Sequence, residues 1–246
     1  MSRFAGKRIV ITGATSGIGR AGAVRIAAEG GMVIATGRDA SRLAALREAL
    51  PSHCLVLAND AARPEDAAEL RRVVADDGPI HGLWLNAGYA EVGPIDDIDA
   101  AFFDRMMAAN VRGPVLEMAQ LSDLLADSAA VVVTASTAVY EGSAMASVYA
   151  ATKGALLALV RCWASALGGR GVRVNSLVPG PIDTEFRAFM ADEFRHRFEA
   201  DVIARLALPR IGTADEAAAV ALFLLSDDAT FVTGAQYAVD GGLVMQ

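Results

Sequence analysis

The chain is short of the residues that build disulfide frameworks and metal sites. Of its 246 residues only Cys54 and Cys162 are cysteines, too few for a stapled fold and without the paired spacing of a zinc site. Both read as small apolar core residues. His53, His81 and His196 share no metal-ligand spacing and read as surface or edge histidines, so no metal is expected. Basic charge is also in deficit. A formal net charge of -7 argues against a nucleic-acid partner, because phosphate backbones are held by clustered Lys and Arg. No charge-free apolar run reaches the roughly 18 residues of a spanning helix. The opening MSRFAGKRIVITG has neither the apolar length of a signal peptide nor the make-up of a transit peptide. A soluble, cytoplasmic protein with no membrane partner is expected. No linker, low-complexity tract or internal repeat divides the chain, which reads as one domain over 1–246.

What is present is alternation. Apolar, β-branched runs at 8–12, 32–37, 54–58, 82–86, 129–136, 172–178 and 236–239 are separated by segments of helical period at 17–30, 40–50, 64–76, 99–126, 147–168 and 214–225. Strands apolar at nearly every position are buried on both faces, as in parallel sheets with helical crossovers. The pattern predicts a doubly wound α/β fold, a mostly parallel seven-stranded sheet with helices on both faces. One stretch, 184–210, interrupts it with charged, aromatic-bearing helix and reads as a substrate lid or as a solvated helix pair.

The first strand runs into TGATSGIGR, residues 12–20. A strand, then glycines, then a helix puts backbone N–H groups and a positive helix terminus at one spot, which suits a phosphate. The turn lacks the Gly-Lys-Ser/Thr ending of a nucleoside-triphosphate loop. Gly13, Gly17 and Gly19 are spaced G-x-x-x-G-x-G rather than as the usual dinucleotide G-x-G-x-x-G.

That spacing resembles the compact branch of the short-chain dehydrogenase/reductase family, whose sheet is Rossmann-type. The resemblance extends over residues 5–243: Asn86-Ala87-Gly88 after the fourth strand, Asn110 in NVRGP, Ser136 in TAS, Tyr149-Ala-Ala-Thr-Lys153, and Pro179-Gly180 followed by Ile182 and Thr184. It implies a cofactor site at Gly13, Thr15, Ser16, Gly17, Ile18 and Gly19, continued by Asn86, Ala87 and Gly88, by Tyr149 and Lys153, and by Pro179, Gly180, Ile182 and Thr184. Asp60 resembles the family's adenine-contacting aspartate. The catalytic set it implies is Asn110, Ser136, Tyr149 and Lys153.

Tyr149 and Lys153 lie one helical turn apart, so both reach the same ligand, and a nearby ammonium is expected to favour the phenolate. Ser136 ends the fifth strand, where its hydroxyl can stabilise charge on a substrate oxygen. In the family the nicotinamide passes hydride to a carbonyl carbon, the tyrosine protonates the oxygen and the lysine binds ribose. Asn110 falls within the 99–126 helix close to Pro114, a residue that disrupts helical hydrogen bonds; the resemblance implies that it holds a water of a proton relay.

The residue that chooses between cofactors stands at the end of the second strand, an acid for the ribose hydroxyl of NAD or an arginine for the phosphate of NADP. VIATGRD supplies Gly37 and Arg38, so NADP(H) is favoured over NAD(H). Asp39 either neutralises Arg38 or caps the next helix, and Ser16 stands where many NADP-preferring relatives carry a second basic residue. The function expected is hydride transfer between NADP(H) or NAD(H) and a small-molecule ketone or secondary alcohol, with a catalytically silent nucleotide sensor as the alternative. Tyr140 and Glu141 face the substrate or form a surface loop, and Met145, Phe186, Phe189 and Met190 line a partly apolar pocket or serve as core. The apolar 147–168 helix, with the 99–126 helix, matches the family's dimer interface, so a homo-oligomer, tetramer or dimer, is expected.

Overall fold

The computed structural model describes residues 2–185 and 199–245; of the lid segment, Phe186, Phe189, Met190 and His196 lie outside the described residues. The strands are β1 (Arg8–Ile11), β2 (Met32–Gly37), β3 (Leu55–Ala58), β4 (Ile80–Leu85), β5 (Leu125–Thr134), β6 (Arg173–Pro179), β7 (Ile182–Asp183), β8 (Gly212–Thr213) and β9 (Gln236–Val239). Seven form one sheet in the order β3-β2-β1-β4-β5-β6-β9, parallel throughout. β7 and β8 make a separate small pair. This is the doubly wound arrangement that the alternation predicts, and its strand order reverses between β1 and β4, where such sheets open a crevice.

The helices are α1 (Gly17–Ala28), α2 (Ala40–Ala49), α3 (Pro64–Ala75), α4 (Ala100–Met107), α5 (Gly113–Leu121), α6 (Ala138–Glu141), α7 (Ser147–Leu167) and α8 (Ala214–Leu225). They cover both faces, which is why the strands carry apolar residues consecutively. Ile9 and Ile11 pack into one core with Ile26 of α1 and Leu222 of α8. Val10, between them, points the other way, into a core with Leu70 of α3, Met118 of α5 and Val160 of α7. Each such side chain contributes about 1.5–3 kcal/mol by leaving water. At the opposite end of the sheet two arginines close helix ends. Arg173 donates to the carbonyls of Leu224 (2.8 Å) and Ser226 (2.9 Å), and Arg8 to those of Val74 (3.0 Å) and Gly78, a cation at each negative helix terminus.

The expected helix over 99–126 is not continuous. α4 and α5 are joined by a π-helical turn at Ala108–Arg112, because Pro114 at the start of α5 has no N–H to continue the ladder. The strand expected from Ala129 begins earlier, at Leu125, which pairs with Ile80 before the register shifts toward Gly82. Ser128, at a positive φ of 63°, lies in the part of β5 that takes up the shift. Cys162, expected in the core, is exposed on α7 and Cys54 is half-buried. The outer face of α7 is built of small side chains there, Ala151 and Ala158 among them, with nothing folded over them. Among the described residues no helix is long and apolar enough to cross a membrane, and no group of His, Cys, Asp and Glu could hold a metal ion.

One acid sits inside the core. Glu117 of α5 is 1% exposed, and neither carboxyl oxygen meets a donor at full hydrogen-bonding geometry. Burial pushes it up from 4.5 to about 7, against a weaker charge-stabilising contact from Thr12. The folded protein therefore keeps a proton that the unfolded chain releases, so this stability is complete below pH 4.5 and is lost as the pH rises through about 7. Glu117→Gln removes the titration. In urea unfolding, the stability of the variant relative to the native protein should rise by roughly 3 kcal/mol across that window; a gap constant with pH would contradict the assignment.

Candidate active site

Above the carboxyl ends of the strands, at the β1/β4 reversal, lies a cleft of about 650 Å³. Gly13, Thr15, Ser16, Gly17 and Ile18 line it at the start of α1, and Arg38 and Asp60 close one end. Asn86, Ala87 and Gly88 line its middle, with Pro179, Gly180, Ile182 and Thr184 on the far wall, and Ser136, Tyr149 and Lys153 stand at the other end. Gly19 and Asn110 lie behind the lining. The glycine turn is tight for identifiable reasons. Gly13 has φ +64°, and a Cβ there would stand 2.7 Å from the Cα of Ala87; at Gly19 it would meet the Asn86 amide at 2.5 Å. The N-cap residue of α1, Ser16, makes no side-chain cap, and the first turn carries no acid, so its N–H groups are left for an anion.

A polar network laces the strand ends beneath the cleft. The Thr12 hydroxyl accepts from the N–H groups of Asn86 (3.1 Å) and Ala87 (3.2 Å). The Asn86 amide donates to the carbonyls of Thr12 (3.2 Å) and Gly13 (3.0 Å) and accepts from the Thr134 hydroxyl at 3.0 Å. Thr134 in turn accepts from the Trp84 indole at 2.9 Å, and its carbonyl receives Lys153 Nζ at 2.9 Å. Thr134 has a plain strand sequence around it, and nothing in its spacing signals this junction.

Asn110 is fully buried in the π turn. Its Oδ1 accepts from the Tyr89 N–H at 2.7 Å, and its Nδ2 donates to the Tyr89 carbonyl at 2.8 Å and to the Thr152 hydroxyl at 3.1 Å. Thr152 donates to the Tyr149 carbonyl at 2.7 Å. Asn110 thus ties the segment after β4 to the turn of α7 that presents Tyr149.

The electrostatics reverse one expectation. Tyr149 is pushed up to about 12, chiefly by burial, with a hydrogen bond to Ser136 acting the other way and the Glu141 charge adding to the rise. Burial pulls Lys153 down to about 8. Its ammonium stands 5.8 Å from the Tyr149 ring centre, engaged with Thr134, so desolvation outweighs the attraction that proximity in sequence suggests. Tyr149 is a neutral phenol at pH 7.

At the other end Asp39 caps α2, accepting from the Arg42 N–H at 2.8 Å and the Ser41 hydroxyl at 2.6 Å. The carboxylate beside Arg38 is Asp60, at 3.7 Å, and the Arg38 side chain is 62% exposed. Sequence reasoning passed over Arg42, which also lines the cleft and pairs with Glu185 at 2.8 Å; its place in the first turn after an Asp cap was the available signal. Of the two residues past Ser136, Glu141 lines the cleft, whereas Tyr140 turns away and donates to Gln236.

A cleft at the reversal of a doubly wound parallel sheet is where α/β proteins of this class bind their ligands, and this chain has that architecture. Similarity narrows the class. Residues 13–244 match the family model described as Enoyl-(Acyl carrier protein) reductase. The chain is 33% identical to a glucose 1-dehydrogenase of Gluconobacter oxydans, over 99% of this chain and 94% of that one. Among solved structures it is similar to a glucose/ribitol dehydrogenase of the short-chain type from Brucella melitensis, with TM-score 0.93, 30% identity and 99% of each chain covered. A blue fluorescent protein from a metagenomic library, solved with NADPH, gives TM-score 0.91 at 31% identity, covering 98% of this chain and 99% of that one. The protein belongs to the short-chain dehydrogenase/reductase family, oxidoreductases that use NAD(P)(H) and act on CH–OH groups.

Removing the Asn110 amide strands the Tyr89 backbone groups. Asn110→Ala should cost about 2–3 kcal/mol in denaturant unfolding; a loss under 0.5 kcal/mol, within the range of ordinary surface substitutions, would refute this anchoring.

Proposed function

We propose that the protein transfers hydride between NADP(H) and a ketone or secondary alcohol. The observation that carries this reading is the meeting of Ser136, Tyr149 and Lys153 at one end of a cleft whose other end is an uncapped helix terminus with Arg38 beside it. The cleft suits a dinucleotide. Its pyrophosphate would rest on the backbone of Thr15, Ser16, Gly17 and Ile18, with Gly13 and Gly19 giving the close approach. Asp60, Asn86, Ala87 and Gly88 would hold the adenosine and ribose portions, and Pro179, Gly180, Ile182 and Thr184 the nicotinamide end. The bound nicotinamide supplies or accepts the hydride.

The protein's own part is positional and acid–base. Tyr149, kept protonated by burial, donates its Oη proton to the oxygen of a carbonyl as charge develops there. Ser136, hydrogen-bonded to that phenol in the free protein, would turn its one hydroxyl proton to the same oxygen once a substrate is bound. Lys153, held by Thr134, would offer its ammonium to the cofactor's ribose hydroxyls, and Asn110 acts as a positioning residue through Tyr89 and Thr152. The Arg38 guanidinium, with no acid at Gly37, favours a 2′-phosphate. The silent-sensor alternative is weaker, since the full acid–base set opens on the cleft. We read the chain as one catalytic domain. The exposed small-residue face of α7, with Phe103 of α4 46% exposed, supports association of the chain as a homo-oligomer.

Tyr149→Phe should lower turnover of a ketone panel by about 100-fold or more, followed as loss of NADPH absorbance; undiminished turnover would refute the acid–base role. Arg38→Ala should weaken NADPH about tenfold or more while leaving NADH within about twofold in a fluorescence titration. Equal losses for both cofactors would overturn the assignment of Arg38.

A further inference from the structure

Past Ser136 the cleft wall carries an acid that the hydride chemistry does not use. Glu141, the last residue of α6, lines the cleft with its side chain 16% exposed. Its Oε1 accepts from the Thr137 hydroxyl at 2.7 Å, which fixes the carboxylate. Its Oε2 stands 3.5 Å from the Arg205 guanidinium. Thr137 directly follows Ser136, so its hydrogen bond ties the carboxylate one residue from the serine, and Glu141, Ser136 and Tyr149 line the same cleft. Met145, Val202 and Leu243 supply apolar wall beside it.

An ionised carboxylate only accepts hydrogen bonds, at about four lone-pair sites, and the two donors here, the Thr137 hydroxyl and the Arg205 guanidinium at 3.5 Å, leave some of them open. A partly desolvated acceptor selects a ligand that brings a donor, because a ligand without one leaves it unpaired. Arg205 already balances the charge, so the fitting donor is neutral.

We propose that Glu141 is a substrate-specificity residue that accepts a hydrogen bond from a hydroxyl close to the reacting carbonyl. The substrate class is then uncharged hydroxy ketones and the corresponding diols. This rests on the reading above, in which Ser136 and Tyr149 hold the carbonyl oxygen.

The test compares acetoin with butanone, a pair differing by one hydroxyl, as substrates of the native protein, Glu141→Leu and Glu141→Gln with NADPH or NADH. For the native protein kcat/KM should favour acetoin by about tenfold or more, and in Glu141→Leu that ratio should fall toward unity, mainly through KM. A native ratio near one, or a ratio unchanged in Glu141→Leu, overturns the proposal. Should the leucine variant fail to fold, acetoacetate against butanone decides: Glu141→Gln leaves the Arg205 cation unbalanced beside the substrate and should raise the relative kcat/KM for the anion by about threefold or more, and no change overturns the proposal. Turnover of butanone without selectivity sinks only the role of Glu141. Turnover of none of these ketones with either nicotinamide sinks the carbonyl-reductase reading, and this proposal with it.

Discussion

The Thr12–Asn86–Thr134 network is the constraint on which the rest of the site depends. Parallel strands end at a sheet edge with unpaired backbone groups, and a cleft at that edge needs those groups satisfied without filling the space above. Thr12, Asn86 and Thr134 do so across β1, β4 and β5 with short side chains, Thr12 beneath the floor and Asn86 and Thr134 forming part of it. Lys153 hangs from the same junction. The glycine turn, the Asn86–Gly88 segment and the tyrosine–lysine helix are thereby set against one another by hydrogen bonds rather than by apolar contact, which tolerates less variation in angle.

Burial then sets the chemistry of what the network positions. The same low-dielectric surroundings raise Tyr149 and lower Lys153, so each drifts toward its neutral form. A phenol protonated at neutral pH is a proton donor, suited to the reducing direction. A lysine near 8 stays largely charged at pH 7 while titrating close enough to exchange protons. The two shifts have one cause, and both follow from α7 facing the cleft across the end of β5.

The sheet was legible because both-face burial writes itself as runs of Val, Ile and Leu, and the cleft because a glycine is needed at each close approach, Gly13 to Ala87, Gly19 to Asn86 and Gly17 to Thr184. What escaped was set by tertiary contact. Periodicity carried a helix through Pro114, since the segments on both sides are of helical period and the one surplus residue of a π turn leaves no mark in composition. Leu125 extends β5 because Ile80 lies alongside it, a partner that no local pattern reveals. The direction of the Tyr149 shift depends on how much protein surrounds it, and the pairings of Tyr140 with Gln236 and of Arg42 with Glu185 join segments far apart in the chain.

The π turn also governs how this chain can change length. Its widened ladder gives Asn110 its inward aim, and everything after it is phased to that one surplus residue. Deleting a residue from 108–112 would restore ordinary pitch yet rotate α5 by about 100°, swinging Met118 and Leu121 toward water and breaking the span from Tyr89 to Thr152. Loss or gain of single residues is therefore barred across this stretch.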